Sequence, residues 1–95
     1  MNVSSLPFSV VISALSPDGT IATAPGGSVV TVDGKWTFGT ATSTGGNALL
    51  LNGTQAAGGF GHEYHVLNGG KLYTFTANKF WYLWGGSWTQ VAAPI

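Results

Sequence analysis

Three carboxylates, two histidines and a block of aromatic rings are the side chains of this chain with chemical potential. A carboxylate pair for glycoside cleavage would have to join Glu63 to Asp18 or Asp33. Both aspartates precede a glycine, and turn capping is the ordinary work of aspartate there. No catalytic constellation emerges, so the chain is expected not to be an enzyme. His62-Glu63-Tyr64-His65 has the residue types of a zinc protease motif, but that chemistry needs histidines four apart on a helix, and here the spacing is three. On a strand His62 and Tyr64 would face one way and Glu63 and His65 the other, so ligands would diverge. No metal or cofactor is expected, which leaves a polar surface strand or a polar rim against a glycan. Gly58-Gly59-Phe60-Gly61 lacks the lysine and following helix of a phosphate loop, and its glycines are expected to shape a bulge or tight bend.

The aromatic residues concentrate in Trp36-Thr37-Phe38, Tyr73-Thr74-Phe75 and Phe80-Trp81-Tyr82-Leu83-Trp84, with Trp88 beyond. In a strand Phe80, Tyr82 and Trp84 point to one side, Trp81 and Leu83 to the other. A thin sheet does not cover both sides, so one aromatic set is expected to lie open, as a stacking platform for sugar rings or a contact for another subunit. The competing reading has every ring filling the core. The candidate ligand-binding residues are Trp81, Trp84, Trp88, Tyr82 and Trp36.

The elements that position these rings are short strands. Helix signals are nearly missing, because Gly, Thr, Val and aromatics dominate without helical spacing of apolar residues. Turn signals recur at Pro17-Asp18-Gly19, Pro25-Gly26-Gly27, Asp33-Gly34, Gly45-Gly46-Asn47, Asn52-Gly53, Gly58-Gly59, Asn68-Gly69-Gly70, Asn78-Lys79 and Gly85-Gly86. Between them, runs near 8–14, 20–24, 28–32, 35–40, 47–51, 54–57, 62–67, 71–77, 80–84 and 87–92 have strand character. The expected fold is all-β, a small antiparallel meander forming a barrel or two packed sheets. Residues 16–95 form its single domain. Residues 1–15 are either its first strand or an arm that adds to a neighbour's sheet edge through Phe8, Val10, Val11 and Ile12.

Composition narrows the partners. The 95 residues carry three positive and three negative charges, 6% of the chain, with no arginine and no cysteine. Nucleic-acid binding is not expected, because it needs clustered cations to displace counterions from phosphates. No run is long enough to insert into a membrane. A short chain with no disulfide staple has a thin core, so oligomerisation is expected. A neutral surface rich in hydroxyls and amides suits a place inside an assembly, or a grip on uncharged, hydroxyl-rich ligands.

The ordered pattern Ser16-Pro17-Asp18-Gly19-Thr20, Val32-Asp33-Gly34-Lys35-Trp36-Thr37-Phe38-Gly39, Leu51-Asn52-Gly53, Ala56-Ala57-Gly58-Gly59, Leu72-Tyr73 and Trp81-Tyr82-Leu83-Trp84-Gly85-Gly86-Ser87-Trp88 resembles small β modules appended to bacterial extracellular carbohydrate-active enzymes. The resemblance spans about residues 16–90 and implies glycan binding. The N-terminus lacks a signal-peptide pattern, and no catalytic domain accompanies the module, which leads to the expectation of a free-standing binder shown in many copies, where avidity multiplies weak contacts. The chain is therefore expected to be a bacteriophage virion accessory, a capsid decoration or fibre subunit made in the host cytoplasm, in contact with copies of itself and with capsid proteins. The alternative is a carbohydrate-binding module of a secreted bacterial protein.

Overall fold

A computed structural model of the chain describes residues 14–42 and 44–95. The proposed assembly residues Phe8, Val10, Val11 and Ile12 lie outside the described residues. Nine strands follow in order: β1 (Ile21–Thr23), β2 (Val29–Thr31), β3 (Gly34–Ala41), β4 (Asn47–Leu51), β5 (Thr54–Gly61), β6 (Glu63–Leu67), β7 (Lys71–Phe75), β8 (Trp81–Trp84) and β9 (Trp88–Val91). Among the described residues there is no helix. All strand pairs are antiparallel, in a five-stranded sheet ordered β1-β6-β7-β8-β9 and a four-stranded sheet ordered β2-β3-β4-β5. Of the two architectures expected, the pair of packed sheets is the one formed. The meander has one interruption: the chain leaves the larger sheet after β1, completes the smaller one, and returns with β6 alongside β1.

Alternation decides which side chains meet between the sheets. Val29, Trp36 and Leu49 of the smaller sheet and Tyr64 and Val66 of the larger are almost or entirely inaccessible, and Leu72 joins them. Each fully buried side chain of this size contributes about 1.5–3 kcal/mol relative to exposure. The polar atoms carried inside are satisfied. Trp36 Nε1 donates to Thr31 Oγ1 at 3.0 Å, and the Tyr64 hydroxyl donates to the Thr37 carbonyl at 2.5 Å. Burial pushes the Tyr64 phenol well above its usual pKa, against a smaller opposing effect of a backbone hydrogen bond from Leu50.

The turns follow the glycine and asparagine chemistry, with one departure. Asn52 and Gly53 join β4 to β5 as a two-residue turn, both at positive φ, between the paired Leu51 and Thr54. At the β2–β3 hairpin the turn residues are Val32 and Asp33, one position earlier than expected, because Gly34 already pairs with Thr31. Gly34 is extended into β3 at φ 136°, close against the Asn52 side chain. Gly58-Gly59 carries a turn signal, but of the bulge or tight bend expected of these glycines it is the bulge that forms. The strand runs on to Gly61, and the register jumps from Leu50–Gln55 to Ala48–Phe60. Residues 56–59 bulge out of the ladder there, with Ala57 and Gly58 at positive φ.

The Asp18 side chain serves a turn other than its own. Its two carboxylate oxygens accept from the amides of Gly69 and Gly70 at 2.8 and 2.7 Å, so it clasps the β6–β7 turn from 51 residues away. Just before it, Ser16 donates through its amide to the Val30 carbonyl at 2.8 Å and accepts the Val30 amide on Oγ at 2.9 Å.

Candidate functional site

The bulge of β5 faces the ends of β7, β8 and β9 across a cleft of about 350 Å³. Its aromatic lining is Tyr82, Trp88 and Phe60, the last 39% exposed. Its polar lining is Thr44, Thr74, Thr76 and Asn78. The described lining carries no formal charge.

Each of these groups has a reason to be where it is. Trp88 sends its indole over the bulge, where Nε1 donates to the Ala56 carbonyl at 3.1 Å. Gly59 makes room for it, since a side chain there would overlap the indole. The Gln55 side chain donates to the Gly59 carbonyl at 3.1 Å and closes the bulge from its other end. Across the cleft, Tyr82 pairs with Thr74 and shares its face. Thr76 is buried; its hydroxyl accepts the Phe80 amide at 2.9 Å and donates to Asn78 Oδ1 at 2.6 Å. That contact fixes the Asn78 amide and leaves its NH₂ as a donor oriented by the protein. The Ala77 amide donates to the Gly45 carbonyl at 3.1 Å, tying the loop before β8 to the loop before β4.

A smaller cleft of about 250 Å³ lies at the other end of the sheets, between the β2–β3 and β6–β7 turns, with Asp33, Lys71, Leu72 and Trp84 in its walls. Trp84 Nε1 donates to Asp33 Oδ2 at 3.2 Å.

The five candidate rings therefore divide among four places. Tyr82 and Trp88 line the larger cleft and Trp84 the smaller. Trp81 lies on the opposite face of the sheet, its ring centroid 4.7 Å from His65 and 4.8 Å from Phe75. Trp36 corrects the sequence reading, for it is fully buried and out of reach of any ligand. Its strand lies under the larger sheet, where it props Trp84 and Trp88 from below. A second correction concerns exposure. Trp81, Trp84 and Trp88 are each half-buried, and the open ring of the run is Phe80, at 45%. The inner set leans on the smaller sheet and the outer set on its strand neighbours, so both sides share the cover that was expected on one.

His65 and Glu63 do face the same way, with Nε2 and Oε1 2.7 Å apart on the Trp81 side of the sheet. Their side chains lie on the face opposite to Thr74 and Tyr82, away from the cleft. Thr76 and Asn78 went unremarked in the sequence except as parts of a strand and a turn, and their only local signal is the Thr-x-Asn spacing that lets one hydroxyl cap the next side chain. No protein-family profile, no curated protein and no solved structure matches the chain.

Proposed function

We propose that the protein is a non-catalytic module that binds an uncharged, hydroxyl-rich ligand, a glycan, in the cleft between the β5 bulge and the β7–β9 edge. The observation that carries this reading is the composition of that cleft: the aromatic rings of Tyr82, Trp88 and Phe60 together with an oriented amide and threonine hydroxyls, and no charge among its described residues. A sugar ring has the matching anatomy, an apolar C–H face and a rim of hydroxyls. Support for a non-catalytic role comes from the carboxylates, each held by a partner of its own: Asp18 by two amides, Asp33 by an indole, Glu63 by His65.

A single cleft of this size binds weakly, and weak sites become effective when many are presented together. We therefore place the module on a repetitive scaffold, a virion surface to which residues 1–15 attach it. Attachment to a secreted enzyme instead is decided by the carrier with which the protein purifies. The binding reading is tested by probing a printed array of neutral and acidic glycans with the protein and with Asn78→Ala and Tyr82→Ala. Selective binding to neutral glycans, weakened about tenfold or more by either substitution, supports it. Binding indifferent to both substitutions contradicts it.

A further inference from the structure

Several polar groups that line the larger cleft are already spent on the protein. Thr74 is buried, and its hydroxyl donates to the Glu63 carbonyl at 2.8 Å. The Trp88 Nε1 proton goes to the Ala56 carbonyl. The Thr76 hydroxyl, also buried, accepts the Phe80 amide and gives its own proton to Asn78 Oδ1. The 2.6 Å separation of that last contact is the length of an O–H···O bond and lies below the usual range for N–H···O. It places the oxygen of Asn78, and not its nitrogen, against Thr76.

This bond decides what Asn78 offers to a ligand. A free side-chain amide grips two neighbouring sugar hydroxyls by accepting from one and donating to the other. Here the accepting end is occupied, and what remains at the exposed Asn78 is the NH₂, which only donates. Its complement is an oxygen that accepts and does not donate. The bulge adds an apolar demand. Ala57, Gly58 and Gly59 carry no side chain larger than a methyl, and the Phe60 ring beside them is 39% exposed. A ligand group that joins a carbonyl oxygen to a small apolar cap meets both demands.

We propose that the cleft selects sugars carrying an acetamido group, with Asn78 as the specificity-determining residue and Thr76 as the positioning residue that holds it. This rests on the glycan reading above and deepens it. The acetamido carbonyl accepts from the Asn78 NH₂, the methyl packs against Phe60 and Ala57, and the sugar ring lies against Tyr82 and Trp88. An unmodified sugar brings only a hydroxyl to that place, which can accept from the amide but leaves the apolar part of the bulge uncovered.

The experiment is a nuclear magnetic resonance titration of the whole chain with matched methyl glycosides, glucose against N-acetylglucosamine and galactose against N-acetylgalactosamine. At least one acetamido sugar should bind about tenfold or more tightly than its unmodified partner. Asn78→Asp removes the donor at an exposed position, and the ratio of the two affinities should fall towards one. Thr76→Val keeps the shape but releases the Asn78 oxygen, and should also lose the preference. Thr76→Ser keeps the hydroxyl and should retain it. Thermal unfolding checks the fold of each variant. Equal affinity within both pairs, or a preference that survives Asn78→Asp or Thr76→Val, overturns the acetamido assignment and leaves a general glycan cleft. Absence of binding by all four sugars overturns this inference alone, and absence of binding across the glycan array overturns the glycan reading with it.

Discussion

The indole of Trp88 occupies the space that a side chain on Gly59 would need, and it is held there by its hydrogen bond to Ala56 within the same bulge. One irregularity in β5 thus fixes a ring contributed by the last strand. The bulge costs ladder hydrogen bonds, and the cleft wall is what it makes possible. Gly59→Ala is expected to push the indole away and destabilise the fold by about 1–3 kcal/mol, read from urea unfolding, with a shift in tryptophan emission. Unchanged stability and emission would mean that the ring is free to move.

Tyr64 should make the fold sensitive to alkali. Its folded-state pKa lies above the ordinary phenol value of about 10, so the stability it contributes is complete below that pH and is lost as the pH climbs beyond it towards the folded-state value. Tyr64→Phe should lower stability at neutral pH by about 1–2 kcal/mol through the lost bond to Thr37, and should flatten the decline above pH about 10. Denaturant midpoints measured between neutral and alkaline pH check both signs.

The clasp of Asp18 on the β6–β7 turn is exposed, so its two short bonds are worth less than they would be inside the protein. Asp18→Ala is expected to cost about 1 kcal/mol and to speed hydrogen exchange at the Gly69 and Gly70 amides. An unaffected exchange rate at those two amides would show that the turn holds itself.

Strand and turn positions were readable where local chemistry decides them. Asn52-Gly53 must form a tight turn because both residues accept positive φ, and the structure puts it there. Gly58-Gly59 left a bulge and a tight bend both open because they draw on the same residues, and only the partner strand tells them apart. Alternation correctly separated Tyr82 and Trp84 from Trp81, but period two names a side of a strand and not what lies against that side. The burial of Trp36 and the half-burial of the other rings depend on how the second sheet is laid over the first. The Asp18 clasp spans 51 residues, and no local rule reaches that far.

Residues 1–14 should be dispensable for folding if they serve as an arm, since they lie outside the pattern of residues 16–90, and among the described residues Ser16 already bonds into the sheet at Val30. A chain beginning at Leu15 is expected to keep its far-ultraviolet circular dichroism and its unfolding midpoint, and to lose self-association in sedimentation and attachment to its particle. An unfolded truncated chain would make the segment part of the core and end the arm proposal.

The central claim is that the cleft beside the β5 bulge takes a neutral glycan. The most direct measurement is a titration of the isotope-labelled protein with the best array glycan, following backbone amides and tryptophan indole signals by nuclear magnetic resonance. The account predicts shifts concentrated at Thr44, Gly58, Thr76, Asn78 and Tyr82 and at the Trp88 indole, with the Trp81 indole unmoved. Shifts centred on Trp81, His65 and Phe75 would contradict it, for they would place the site on the opposite face of the sheet.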